Sequence, residues 1–191
     1  MSEGRQPKAI FWLAAAAVMA AGSIREFLKS QHVELPWFIE IASPVAIYEG
    51  LYLLVDRYLW KYPPLRLIGW STVPDLSGEW QAKFKTSYDQ YATEHAGSVR
   101  IKQSWSSIHV WLETAQSGSH SEMATIVSEA NGDQYLIYEY LNEPSASKSV
   151  ATMHQHRGTC RLLIAPDAKT LKGTYYSGHD RQNHGELELT R

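Results

Sequence analysis

The chain has 191 residues and a formal net charge of −2, which allows one ordinary domain and an appendage. Its composition excludes the basic surface that grips a DNA or RNA polymer, because Pro74 to Arg191 holds eleven Lys and Arg against fourteen Asp and Glu. A single cysteine, Cys160, excludes an internal disulfide and favours a reducing compartment.

The first apolar stretch, Ala9 to Ile24, predicts a transmembrane helix. It contains no charged residue and is about 24 Å long as a helix, against roughly 30 Å of hydrocarbon in a bilayer. Arg5 and Lys8 precede the stretch, and Arg25 and Lys29 follow it. A cleaved signal peptide shows the same pattern and is the alternative interpretation.

A second apolar stretch, Leu35 to Leu54, predicts a second membrane helix of about 30 Å. Glu40 and Glu49 lie inside it, and Pro44 should kink it. Carboxylates inside a membrane usually face a partner helix, water or the interface. The aromatic and basic residues that follow, as far as Trp70, are typical of the headgroup level. A buried helical hairpin of a soluble domain is the alternative.

The two helical segments, at about 9–25 and 35–60, define a predicted membrane region over residues 1–71. Residues 72–191 then form a second domain. Two spans place both ends of the chain on one side of the membrane, and a modest excess of Lys and Arg favours the cytoplasm for that side. We therefore expect a multi-pass membrane protein whose C-terminal domain lies in the cytoplasm.

From Asp75 onward, apolar residues recur with a period of two, which predicts β-strands separated by turn signals such as Asn131-Gly132. The predicted strands lie near residues 78–87, 97–105, 107–115, 119–129, 133–141, 150–165, 170–178 and 184–191. Eight sequential strands with short connections predict a mainly β domain, an eight-stranded antiparallel barrel whose closure removes exposed edges. A two-sheet sandwich is the alternative.

Gly78-x-Trp80 in the first predicted strand, with Arg191 in the last, resembles the signature of lipocalin-type barrels. In those barrels the Trp closes one end and an Arg from the last strand packs over it. A barrel of eight strands is either filled or able to hold one small ligand. A membrane-tethered, lipocalin-like carrier of a small apolar ligand is therefore one interpretation of the chain.

A longer series of segments resembles one bacterial family. The series is VPDLSGEW (73–80), IKQSWSSIHVWLET (101–114), SGSHS (117–121), YEYLNEP (138–144), HRGT (156–159) and LKGTYYSGHDRQNHGELEL (171–189). With the two apolar segments before it, this order is similar to that of the SMODS-associated two-transmembrane β-strand-rich effectors. These are the membrane effectors of cyclic-oligonucleotide-based antiphage signalling (CBASS). The resemblance covers nearly the whole chain.

The resemblance implies a barrel that binds a cyclic dinucleotide or a related cyclic oligonucleotide. The ligand would be a second messenger made by a partner nucleotidyltransferase of the CD-NTase type. The resemblance further implies that binding drives self-association and disruption of the bacterial inner membrane, so that the infected cell dies in an abortive infection. The lipid bilayer and other copies of the chain would be its partners, and no cofactor is implied.

Five side chains fit the stacking and phosphate chemistry of such a ligand. Bases stack on flat aromatic faces, and phosphates accept charge-assisted hydrogen bonds. For stacking we predict Tyr88, Tyr138 and Tyr176. For phosphate we predict Arg181, near the barrel mouth, and Arg157, beside a glycine.

Polar residues at predicted inward positions complete the predicted site. Gln103 shares a strand face with Ile101 and Trp105, and Ser119 and Ser121 share one with Met123. A buried polar side chain needs a hydrogen-bond partner, which a ligand, a buried water or a neighbouring strand can supply. The full set of predicted ligand-binding residues is Tyr88, Gln103, Thr114, Ser119, Ser121, Tyr138, Arg157, Tyr176 and Arg181.

Enzymatic chemistry has little support in the sequence. It contains no Gly-rich phosphate loop before a helix, no H-E-x-x-H and no G-x-S-x-G. His154 and His156 share a strand face, but nothing fixes a third ligand, so we predict no metal site. A scaffold that binds only protein is a third interpretation.

Overall fold

The chain folds as two compact units that divide between Thr72 and Val73, one helical and one built of β-strands. The computed structural model describes residues 7–34, 36–64, 71–145, 154–178 and 181–191. The end of the predicted headgroup-level segment, 65–70, and the start of the predicted strand at 150–165 lie outside the described residues.

The helical unit is a hairpin of two helices. Helix α1 runs Pro7–Ser30, α2 runs Trp37–Arg57, and a short 3₁₀ turn follows at Leu59–Lys61. Helix α1 packs against α2, and its buried residues recur every four positions, which keeps them on one face. Three of the four are alanines, which let helix backbones approach closely. They are Ala9, Leu13, Ala17 and Ala21.

The exposed side of α1 carries large apolar side chains, among them Phe11, Trp12, Val18 and Met19. Within the described ranges, α1 over Lys8–Ser30 is the one helix long and apolar enough to cross a membrane. In α2, the Glu40 carboxylate accepts a hydrogen bond from the Arg25 guanidinium of α1 at 3.1 Å. This carboxylate therefore faces a neighbouring helix of its own hairpin.

The C-terminal unit is a closed antiparallel barrel of eight strands in sequential order, which confirms the predicted fold. The strands are β1 Gly78–Thr86, β2 His95–Gln103, β3 Ile108–Thr114, β4 Ser117–Ser128, β5 Gln134–Pro144, β6 His156–Ile164, β7 Thr170–Ser177 and β8 His184–Thr190. Strand β1 pairs with both β2 and β8, so the first and last strands close the ring.

The two ends of the barrel differ in composition. We call the end where the chain enters and ends, with residues 73–77 and Arg191, the floor, and the opposite end the mouth. Inward side chains toward the floor are apolar and fully buried, because the alternating pattern of each strand places them on the inner face. They include Trp80, Val99, Ile101, Val110, Leu136, Leu162, Leu171 and Leu189.

Strand β4 differs from the prediction at one position. The register of β4 against β5 shifts between Ser121 and Met123, where a β-bulge inserts one residue. Because side chains alternate between faces, the extra residue moves Met123 to the outer surface, where it is 71% exposed. The predicted shared face of Ser119, Ser121 and Met123 is therefore wrong for Met123.

Candidate ligand-binding site

At the floor, polar side chains bind the segment that leads into the barrel. The Gln103 amide accepts a hydrogen bond from Leu76 N (2.8 Å) and donates one to Pro74 O (2.9 Å). The Trp80 indole N–H donates to Leu76 O at 2.8 Å, in a buried position. These partners are all within the chain, so hydrogen bonds between the barrel and its entry segment close this end.

Arg191 completes the floor. Its guanidinium lies 4.9 Å from the centroid of the Trp80 ring. It also donates to Ser77 O and Asp75 O, each at 3.0 Å. A guanidinium over an indole face is a favourable cation–π arrangement. The Trp and Arg expected from the lipocalin-like signature are thus in contact.

The interior toward the mouth is polar. Ser119 of β4 lies opposite Asn142 of β5, and Asn142 lies opposite His156 of β6. Asn142 is 9% exposed and His156 is 7% exposed. Three neighbouring strands therefore turn polar side chains toward one region of the interior.

The Asn142 amide forms no hydrogen bond within the described residues, and the residue as a whole is 9% exposed. The His156 Nδ1, in contrast, lies 2.9 Å from His154 O. An amide carries both donors and an acceptor, and here the chain uses neither. A bound ligand that offers a donor and an acceptor could therefore pair with it without breaking a hydrogen bond of the protein.

Two tyrosines line the interior wall next to this region, and each ring lies over a glycine of the adjacent strand. Tyr140 is opposite Gly158, and Tyr175 is opposite Gly185. A side chain at either glycine would overlap the tyrosine ring, so glycine is required by close approach. The rings consequently cover the wall, and flat aromatic surfaces of this kind are suited to stacking with bases.

Both hydroxyls are neutral hydrogen-bonding groups at physiological pH. Burial raises the pKa of Tyr140 to about 12, although the Ser177 hydrogen bond and the Arg181 charge act in the opposite direction. Burial likewise raises the pKa of Tyr175, against a hydrogen bond with Thr86 and the charge of Arg181. The electrostatic influence of Arg181 on both tyrosines places its guanidinium at the mouth.

The connection between β1 and β2 forms the rim beside Arg181. Its 3₁₀ turn, Ser87–Asp89, carries Tyr88, whose ring centroid is 5.8 Å from the Arg181 guanidinium. The Asp89 carboxylate lies 3.2 Å from His95 Nε2 and accepts a hydrogen bond from Thr93 N. Burial acts to raise the pKa of Asp89, but these hydrogen bonds outweigh it and hold that pKa below its ordinary value.

The structure brings several predicted site residues to the mouth or the interior below it. Tyr138 is buried in the interior, next to Tyr140, with ring centroids 6.2 Å apart. Ser119 faces the interior, and Tyr88 and Arg181 form the rim. The Thr114 hydroxyl accepts hydrogen bonds from Gln116 N and Ser117 N, so it also shapes the turn between β3 and β4.

The other predicted residues lie elsewhere. Gln103 is part of the floor. Arg157 and Tyr176 are on the outer wall, because β6 and β7 turn alternate residues inward, and Arg157 forms an ion pair with Glu122 at 3.1 Å. The Ser121 hydroxyl accepts a hydrogen bond from Val110 N beside the bulge. We do not carry Gln103, Arg157 or Tyr176 into the proposed site.

Three residues of the site are absent from the predicted set, namely Tyr140, Tyr175 and Asn142, and Asn142 is the least expected of them. The segment Asn142-Glu143-Pro144 has the composition of a turn, but β5 continues to Pro144. The alternation Leu136, Tyr138, Tyr140, Asn142 was the available signal, since it places the amide on the inner face.

The described residues offer little for covalent or metal chemistry. Cys160 is buried, and burial raises the pKa of its thiol to about 12, so it is a core residue and not a nucleophile. No group of three potential metal ligands occurs within the described ranges. The mouth is therefore equipped for non-covalent binding by stacking, amide and hydroxyl contacts and one guanidinium.

Comparison with known proteins gives matches across both units. Residues 71–191 match the family model "Cap15, cyclic dinucleotide receptor domain", and residues 7–61 match "Cap15, TM helices". The chain is 29% identical to CD-NTase-associated protein 15 of Yersinia aleksiciae over 178 residues, which is 92% of this chain and 83% of that protein. It is 27% identical to the protein of the same name from Staphylococcus schleiferi, covering 83% and 82%.

Proposed function

Because the chain belongs to the Cap15 family, whose barrel is a cyclic dinucleotide receptor domain, we propose that it is a membrane effector switched on by a cyclic dinucleotide. A nucleotidyltransferase of the CD-NTase type would supply this ligand, in keeping with the name of the relatives. The family is one of receptors and not of enzymes, which confirms the expectation that the chain has no catalytic activity.

The ligand would bind at the mouth, and the inward Asn142 amide, which forms no hydrogen bond within the described residues, is the observation that carries this assignment. The amide can donate to and accept from a base edge. The rings of Tyr140 and Tyr175 would stack with bases, and Arg181 would form a charge-assisted hydrogen bond with a phosphate. An apolar ligand would leave the amide and guanidinium without partners, so the geometry favours the nucleotide over the lipocalin-like carrier.

Ligand binding would act on the membrane through self-association. A ligand that binds the associated state more tightly than the free state shifts the equilibrium toward association. The helical hairpins of several copies would then pack together and disrupt the inner membrane, ending the infection by death of the cell. The charge distribution around the predicted spans supports a cytoplasmic position for the barrel.

The test is a thermal-shift and binding titration of the full-length protein in detergent. The probes are 3′,3′-cyclic di-AMP, cyclic di-GMP, cyclic GMP–AMP and cyclic UMP–AMP, with a linear dinucleotide and a fatty acid as controls. A ligand at 100 times its dissociation constant stabilises the folded state by about 2.7 kcal/mol, a shift of several degrees. We expect at least one cyclic dinucleotide to produce this shift, and the linear dinucleotide to produce none.

Two arginines give a matched pair for the site. We expect Arg181→Ala to weaken binding about 10- to 100-fold, the range for a lost charge-assisted hydrogen bond. We expect Arg157→Ala to leave binding unchanged, because this guanidinium pairs with Glu122 on the outer wall. A shift with the fatty acid alone would instead establish the carrier, and equal losses in both variants would contradict the mouth as the site.

A further inference from the structure

Strand β4 is paired along its whole length on one side only. Its ladder with β5 extends from Ser117 to Ser128. Its ladder with β3 has three residue pairs, Trp111↔His120, Leu112↔Ser119 and Glu113↔Gly118. Beyond Ser121, the described residues therefore provide a strand partner for β4 on the β5 side alone.

The different lengths of β3 and β4 explain why the end of β4 has no partner on the β3 side. Strand β3 begins at the inward residue Ile108, and the residue that the bulge adds to β4 places Ile108 opposite the inward residue Ala124. Residues 125–128 run past the start of β3, and we call the segment from Ala124 to Ser128 the β4 edge. Glu129 N donates to Asp133 O at 2.8 Å, and the direction of N–H and C=O groups alternates along a strand. Ala124, Ile126 and Ser128 therefore point their backbone groups away from β5.

The composition of the β4 edge is unusual for a strand edge that has no partner strand within the described residues. Proteins usually protect such edges with Lys, Pro or charged side chains, because unpaired N–H and C=O groups accept another strand. The edge reads Ala-Thr-Ile-Val-Ser, without charge, Pro or Gly, and with three β-branched residues in succession. Such a sequence favours the addition of a strand.

The charges beside the β4 edge agree with the addition of a strand. The acidic residues that flank the edge are neutralised within the chain, since Glu122 pairs with Arg157 and Glu129 with Arg161. The edge therefore offers a hydrogen-bonding surface whose flanking carboxylates would not repel an identical surface.

We infer that the β4 edge pairs with the β4 edge of a second copy, in antiparallel orientation about Ile126. A second copy is the occupant because every copy has the same edge, and a two-fold pairing satisfies both edges at once. This register places Ala124 opposite the second copy's Ser128 and Glu129 opposite the second copy's Met123, so no like charges face each other. The inference rests on the proposed function, where it supplies the barrel-to-barrel contact of the associated state.

Cysteine cross-linking of the full-length protein in bacterial membranes tests the pairing. Thr125 and the second copy's Val127 would form a non-hydrogen-bonded pair about 4.5 Å apart at Cα, which suits a disulfide. Two differently tagged variants, Thr125→Cys and Val127→Cys, are co-expressed and mildly oxidised. The buried Cys160 does not compete. The matched control is Thr159→Cys with Thr174→Cys, which are exposed on strands paired on both sides.

We expect a mixed disulfide for the first pair of variants, strengthened by the cyclic dinucleotide probes, and none for the control pair. A mixed disulfide of equal yield in both would overturn the inference, as would its absence from the first pair. Thr125→Lys/Val127→Lys should abolish the assembled species in detergent, whereas Thr159→Lys/Thr174→Lys should retain it. If the probes bind and the Thr125→Lys/Val127→Lys variant still forms the assembled species, the edge inference fails and the proposed function stands. If no probe binds, the proposed function fails, and the yield of the mixed disulfide without ligand still tests whether the two β4 edges pair.

Discussion

The floor and the mouth of the barrel contain the same kinds of polar side chain, but these side chains differ in how they are hydrogen-bonded. Each end has a buried or half-buried amide, an arginine and aromatic rings. At the floor, the Gln103 amide donates and accepts hydrogen bonds within the chain, and Arg191 binds two carbonyls. At the mouth, the Asn142 amide has no partner among the described residues. The two ends therefore differ in whether the amide and the arginine are hydrogen-bonded within the chain, and not in which residue types are present.

The largest expected effect is at the floor, where Trp80 fills the closed end. Trp80→Ala should lower the free energy of unfolding by about 3–5 kcal/mol, because it leaves a cavity and removes the indole hydrogen bond. Urea unfolding of the full-length protein in detergent measures the loss. Trp111, half-buried on the outer wall with Lys102 5.4 Å from its ring centroid, is the matched control. Trp111→Ala should cost about 1 kcal/mol or less. Equal losses would contradict a specific role for Trp80 in closing the barrel.

The floor was largely predictable from the sequence because its signals are local. Gly78-x-Trp80 lies within one strand, and the period-two pattern places Trp80, Ala82 and Phe84 on one face. The strand count and the closure of the barrel follow from turn residues at regular spacing. The β-bulge after Ser121 was not predictable, since one inserted residue leaves the composition of the strand unchanged.

A second test uses alkaline pH to probe the wall of the mouth. Burial raises the pKa of Tyr140 in the folded state to about 12 from an ordinary value of 10.0. The unfolded chain then loses this proton first, so the stabilisation is complete below pH 10 and decreases as pH rises toward 12. The decrease is about 2 kcal/mol by pH 12.

Unfolding free energies from pH 8 to pH 12 measure this effect. Tyr140→Phe removes the hydroxyl, so at pH 8 it should be less stable than wild type by about 1 kcal/mol. Between pH 8 and pH 12 the unfolding free energy of wild type should fall by about 2 kcal/mol relative to that of the variant, so the order of stability should reverse. Parallel curves for the two proteins would show that the Tyr140 hydroxyl is not buried as the structure places it.

The mouth was predicted only in part, because its residues come together through register and not through local sequence. Tyr138 and Ser119 follow from alternation, and Arg181 from its position near the end of a strand. Asn142 lies one residue beyond the predicted strand at 133–141, since Asn-Glu-Pro has the composition of a turn. Its role follows only from the cross-strand pairs that place it between Ser119 and His156. Arg157 was assigned to the site for its charge, although its strand turns it outward.

The smallest expected effects come from replacing the two amides. These two variants distinguish the floor from the mouth most clearly. Gln103→Ala leaves Leu76 N and Pro74 O without partners, so it should cost about 1 kcal/mol of stability. Asn142→Ala breaks no hydrogen bond within the described residues, so the unliganded protein should be equally stable or slightly more stable. The same urea unfolding measurement compares the two variants.

The two variants should rank in the opposite order when the loss of ligand affinity is measured in place of the loss of stability. Asn142→Ala should weaken the binding of a cyclic dinucleotide by about tenfold, the ratio that corresponds to about 1.4 kcal/mol for one good hydrogen-bonding contact. Gln103→Ala should bind it as wild type does, because its amide already has both partners at the floor. If Asn142→Ala destabilised the unliganded protein and bound the ligand normally, Asn142 would be a structural residue like Gln103. The distinction between a satisfied floor and an unsatisfied mouth would then no longer hold, and the ligand site would have to be sought among the rim residues around Arg181.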